Sequence, residues 1–136
     1  MSSIFNVGKD LVSKIQLNCE PELLKEIFAL RTEKWKYYQI SMEGGTIGLF
    51  GDLFHLEYCS FELIPMAVEI VLEQEDSDLF ITALSLLYEC IEESDTTEIP
   101  AELTRQWKVL EKRVREIENR DSLLCWNAIC KWYRIK

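Results

Sequence analysis

His55 and Cys59 stand four residues apart, a spacing that brings two side chains onto one face of a helix. An imidazole beside a thiol is the beginning of a zinc site or of an activated thiol nucleophile. Zinc needs further ligands, and a nucleophile needs a third group to orient its base; His55 is the sole histidine of the chain. His55 is therefore expected at the rim of a hydrophobic cluster with Phe54 and Tyr58. The adjacent carboxylates Glu92 and Glu93 would do acid–base work only if burial or a neighbour split their proton affinities. They fall near a polar helix end and are expected to be ionised and solvated. The segment EGGTIGLFGD, Glu43 to Asp52, holds four of the five glycines. It lacks the spacing and the Lys-Ser/Thr ending of a phosphate-binding loop, and its charges are negative. It reads as a flexible connector. These residues give no reason to expect an enzyme, a bound metal or a cofactor.

Charge is distributed less ordinarily. The 68 residues between Lys36 and Arg105 hold fifteen Asp or Glu and no Lys or Arg, so a chain of formal net charge -9 is a segment of -15 between flanks that sum to +6. The pI near 4.7 argues against binding nucleic acid by phosphate neutralisation, and equally against an anionic membrane surface. A basic protein is the partner that such a field would steer inward. MSSIFNVGKDLVSK has no apolar run of signal-peptide length, and no window reaches the roughly 18 uninterrupted apolar residues that a membrane span requires. Five scattered cysteines, Cys19, Cys59, Cys90, Cys125 and Cys130, form no CxxC pair and are expected as buried free thiols of a cytoplasmic protein.

The elements that must carry these charges are helical. Phe61, Ile64, Val68, Val71 and Leu72 recur with the period of one helical face, and so do Phe80, Ala83, Leu84, Leu87 and Ile91, and again Leu103, Trp107, Leu110, Val114 and Ile117. Pro21 and Pro100 mark helix starts, Asp121 is placed to cap the last helix, and Ser94-Asp95-Thr96-Thr97 breaks the chain before Pro100. The pattern predicts an all-α fold in one domain spanning 1–136, with helices near 4–17, 21–40, 61–74, 78–94, 101–119 and 122–134. Trp107, Trp126 and Trp132 fall in apolar patterns and are expected in the core. Trp35-Lys36-Tyr37-Tyr38 sets adjacent aromatics that cannot both face inward, which leaves one for a partner.

IPMAVEIVLEQEDSDLFITALSLL, Ile64 to Leu87, resembles a HEAT-type helical repeat, with Pro65 early in the first helix, an aliphatic stripe, Asp76 and Asp78 in the turn, then Ala83-Leu84 and Leu86-Leu87 in the second helix. The resemblance covers about a quarter of the chain. Such repeats commonly place a Val-Arg pair after the turn aspartate, the arginine bonding the turn carboxylates. Here Phe80-Ile81 stands in its place, so Asp76 and Asp78 are expected to present their charge outward. A single repeat cannot bury its face alone, so the flanking helices are expected to stack on this pair.

Two acidic stripes follow. Glu62, Met66, Glu69 and Glu73 lie opposite the apolar face of the first helix of the pair. Thr82, Ser85, Glu89 and Glu92 form a stripe on the second, extended by Asp95. Like charges at i, i+4 cost a few tenths of a kcal/mol per pair, and no base within the segment relieves them. The partner-binding residues are expected to be Glu73, Glu75, Asp76, Asp78, Thr82, Ser85, Glu89, Glu92 and Asp95, the short side chains of Thr82 and Ser85 leaving room for an incoming loop. Together with the SDTTEIPAEL link, Ser94 to Leu103, the repeat resembles the HEAT-like helical immunity proteins that bacteria pair with secreted toxins. The resemblance implies stoichiometric inhibition of a cognate basic toxin domain, such as a nuclease, by an acidic face that covers its active site. The alternative is a helical scaffold or adaptor whose acidic middle meets a basic protein, or the basic 105–136 part of a second copy as a homo-oligomer.

Overall fold

The computed structural model describes residues 21–26, 28, 29 and 60–134. The helix expected near 4–17, the glycine-rich segment, His55 with Cys59 and the Trp35 cluster lie outside these residues. Residues 23–26, 28 and 29 are helical, following Pro21 as the sequence predicts. Four helices then follow in order: α1 Ser60–Glu73, α2 Ser77–Glu93, α3 Ala101–Ile117 and α4 Arg120–Tyr133. The described residues contain no strand, and the fold class is all-α.

The ends of these helices follow from local chemistry. Asp76 is extended (φ -77°, ψ 134°), and its side chain accepts from the amides of Asp78 and Leu79 as the N-cap of α2. Such a cap satisfies donors that the first turn leaves orphaned. At the end of α1 the Gln74 side chain donates to the Ile70 carbonyl at 2.8 Å. Pro100 occupies the N-cap position of α3, where its missing N–H costs nothing. The cap of α4 corrects one expectation: Asn119, not Asp121, accepts from the Ser122 amide at 3.0 Å. The helix therefore starts earlier than the hydrophobic pattern shows, and Asp121 sits in its first turn. There the carboxylate favours the positive end of the helix dipole without bonding as the cap.

Packing joins the helices as two hairpins laid side by side: α1 packs on α2 and α3, α2 on α4, and α3 on α4. Arg113, late in α3, reaches the carbonyls of Leu72 and Gln74 at the end of α1, which fixes α1 and α3 in the same direction. One apolar cluster runs through the four helices and takes in Leu24 from the N-terminal segment. Phe80 is fully buried within it, as are Ile64, Leu84, Leu103 and Leu110. Burial of each large side chain contributes about 1.5–3 kcal/mol. Both α1 and α2 are buried over more than one stripe, because they pack most extensively on each other and each also meets a helix of the second hairpin. Leu63, Ile70, Leu86 and Cys90 thus join the core although the single-face pattern does not contain them. Trp107 and Trp126 meet between α3 and α4 with ring centroids 4.6 Å apart, and the Trp132 indole donates to the Thr96 carbonyl at 3.0 Å, tying the inter-hairpin link to α4.

Candidate functional site

Helical spacing puts Glu62, Met66, Glu69 and Glu73 on the outward side of α1, and all three carboxylates are exposed. Beside them a groove of about 510 Å³ runs between the N-terminal segment, α1 and α3. Pro65, Met66 and Leu72 give it an apolar floor, while Glu22, Glu62, Glu69, Glu73 and Glu102 supply carboxylates along its walls. The Lys25 ammonium lies 3.5 Å from both Glu69 and Glu73. The carboxylate of Glu69, then that of Glu73, raises the pKa of Lys25. At the opposite wall Arg105 grips Glu102 through both carboxylate oxygens, and that hydrogen bond holds the Glu102 carboxyl below its usual range.

These contacts revise the reading of the acidic segment as a region without cations. Lys25 comes from outside it in sequence and arrives by folding, whereas Arg105 is the local i+3 partner of Glu102 at the segment's edge. At the hinge Leu72 to Phe80, Glu75, Asp76 and Asp78 are all exposed, and a cation from α3, Arg113, reaches the backbone beside them. Its guanidinium donates to the Leu72 carbonyl at 3.4 Å and, more closely, to that of Gln74. It satisfies the end of α1 rather than the turn carboxylates, and Asp76 is engaged with the start of α2 instead.

The stripe predicted on α2 is divided. Thr82 donates its hydroxyl to the Asp78 carbonyl at 3.0 Å, an internal helical bond. Ser85 lies against the Cys125 thiol of α4, with the carboxylates of Glu89 and Glu92 close by. The side of α2 that was to admit an incoming loop is thus occupied at Ser85 by α4. Glu92 and Asp95 are exposed at the far end, and Glu89 is half-buried. The fold therefore groups the nine sequence-predicted residues in three places: Glu73 in the groove, Glu75, Asp76 and Asp78 at the hinge, and the others along the α2–α4 seam and its end. Glu22, Glu62, Glu69 and Glu102 join Glu73 in the groove. Of these, the outward stripe on α1 was visible in the sequence, whereas Glu22 and Glu102 come from distant segments.

The seam has no activated nucleophile. Burial, with Glu89 and Glu92 adding to it, pushes the Cys125 thiol up to about 12, so it stays protonated where a reactive thiol would ionise. Burial and the Glu92 carboxylate likewise raise the Tyr88 phenol. Cys90, Cys125 and Cys130 form no disulfide. Among the described residues no group of three or more His, Cys, Asp or Glu is placed to hold a metal ion, and no helix is long and apolar enough to cross a membrane. What the surface offers is a band of exposed carboxylates over an apolar floor, a chemistry suited to lysine and arginine side chains on aliphatic stems. No protein-family model, curated protein or solved structure matches the chain.

Proposed function

We propose that the chain is an immunity protein that binds a basic toxin domain, such as a nuclease, and neutralises it by covering its active site with an acidic face. The observation that carries this reading is the run of exposed carboxylates from the α1 groove across the hinge: Glu62, Glu69, Glu73, Glu75, Asp76 and Asp78. Two supports stand beside it. The hairpins α1–α2 and α3–α4 lie first helix on first helix and second on second, as neighbouring units of a helical repeat would. The groove adds an apolar floor, which lets a bound loop bury aliphatic surface as well as pair its charges. The sequence placed the face chiefly on α2; the contacts of Ser85 with Cys125 favour the α1 side and the hinge.

The test is association with the basic C-terminal domain of a secreted toxin encoded beside this chain, followed at low and high salt. Glu62→Lys with Glu75→Lys should slow association at least about tenfold and abolish protection, while Glu111→Lys with Glu118→Lys leaves both nearly unchanged. Raising salt from about 0.1 M to 1 M shortens the screening length from about 10 Å to about 3 Å and should slow the parent towards the variant. If the Glu62/Glu75 pair binds like the parent and the Glu111/Glu118 control does not, the functional face lies on α3 and α4.

A further inference from the structure

The exposed face of α3 carries Arg105, Lys108, Lys112 and Arg115 against one carboxylate, Glu116. Arg105 is taken by Glu102, which leaves a basic stripe of three. On its neighbour α1 the exposed side chains are Glu62, Glu69 and Glu73; the last two share the single ammonium of Lys25, and Glu22 lines the same groove, so this face keeps a net negative charge. An acidic stripe and a basic stripe thus lie side by side on parallel helices that pack against each other. Such a pair of stripes is complementary to itself. A twofold axis parallel to the helices, set above the line between them, carries α1 of one copy over α3 of the other and simultaneously the reverse, so every carboxylate stripe meets a basic one.

We infer that this chain forms a twofold homodimer through the outward faces of α1 and α3, the occupant of each acidic stripe being Lys108, Lys112 and Arg115 of the second copy. Charge complementarity selects this occupant over a like pairing of the same helices, which would set carboxylates on carboxylates or ammonium groups on ammonium groups. Val109, exposed to 46 %, lies at the edge of the basic stripe, and Met66 lies within the acidic one, so the interface has apolar contacts besides its ions. The dimer covers part of the groove assigned to the basic partner. That partner would therefore have to displace the second copy, but the dimer itself does not depend on the partner existing.

The experiment is sedimentation of the full chain at about 0.1 mM, in about 0.05 M and about 1 M salt. At low salt the mass should be twice the 16.0 kDa of one chain, and at high salt it should fall towards one copy. Lys108→Glu with Lys112→Glu should raise the dissociation constant at least about tenfold, and so should Glu62→Lys with Glu69→Lys. An equimolar mixture of the two variants should recover the dimer, because each then offers the charge that the other lacks. All four positions are exposed, and circular dichroism checks that the variants keep their helices; neutral glutamine at the same sites serves if a reversal perturbs them. A parent that stays monomeric at low salt overturns the proposal. So does a mixture that fails to dimerise when the parent does, or growth past two copies, which would mean a contact that does not close.

Discussion

The guanidinium of Arg113 sits 5.7 Å from the centre of the Phe80 ring while donating to the carbonyls of Leu72 and Gln74. One side chain of α3 thereby covers the first buried aromatic of α2 and closes the last turn of α1. Charged hydrogen bonds of this kind contribute about 1.5–3 kcal/mol, and a cation over a ring about 0.5–2 kcal/mol. Arg113→Ala should therefore lower unfolding stability by about 2–3 kcal/mol in urea titration. Arg113→Lys should recover only part of it, because an ammonium cannot reach two carbonyls and a ring in one plane. An alanine variant as stable as the parent would show that the contact contributes nothing net.

Asp76 should matter as a cap rather than as a charge. Asp76→Ala should cost about 1 kcal/mol, within the usual range of about 0.5–2, whereas Asp76→Asn, which keeps an acceptor for the amides of Asp78 and Leu79, should be close to neutral. Equal losses in both variants would instead implicate the negative charge at the start of α2.

Cys125 should resist modification in the folded chain. With its thiol pushed up to about 12, alkylation near pH 8 should run at least about 100-fold slower than for an ordinary exposed cysteine. Mass spectrometry of timed iodoacetamide reactions measures this site by site. Rapid labelling of Cys125 under native conditions would mean that α4 opens from α2.

The same burial predicts an alkaline limit. The Cys125 thiol rises from 9.0 to about 12 and the Tyr133 phenol from 10.0 to about 12, burial being the first cause for both. Groups raised on folding stabilise the folded state fully below their unfolded values, and that contribution disappears as pH climbs through the folded ones. Stability should hold up to about pH 9 and fall between about pH 9 and 12. Cys125→Ala should flatten the lower part of that fall; an unchanged profile would assign the limit to Tyr133 or to other groups.

Glu118 ends α3 in the left-handed region, φ 53° and ψ 33°, where a side chain is crowded against its own backbone. Glu118→Gly should stabilise by about 0.5–1 kcal/mol, the steric relief exceeding the added freedom of the unfolded chain. A lower melting temperature would show that the glutamate makes a compensating contact.

Much of this fold was visible in the sequence because period and punctuation agree. Ile64, Val68 and Val71, then Phe80, Leu84 and Leu87, then Leu103, Leu110 and Val114 lie in the core, and Pro100 stands where α3 begins. The second buried faces of α1 and α2 were not visible, since they depend on which helices become neighbours. The same limit applies to the site. The hinge carboxylates and the α1 stripe are local patterns and emerged as exposed acids. Lys25, which answers Glu69 and Glu73, and Arg113, which bonds the carbonyls at the end of α1, stand about 40 residues or more from their partners in the chain, and no local rule links them. Ser85 was assigned to an open face because a short polar side chain fits there as well as it fits against a thiol on a packed helix.

The meeting of Trp107 and Trp126 at 4.6 Å gives the molecule an optical gauge of its own. Indoles this close share their excited states, so they should produce a paired, opposite-signed band in circular dichroism that vanishes when α3 and α4 part. The sequence has no tryptophan between Lys36 and Gln106, so light absorbed by this pair reports the second hairpin alone. Separation of the two hairpins from each other, with each remaining closed, would leave that band in place. Loss of the helical signal before or after the indole band would then distinguish stepwise opening from collapse of the whole, without a dye or a label.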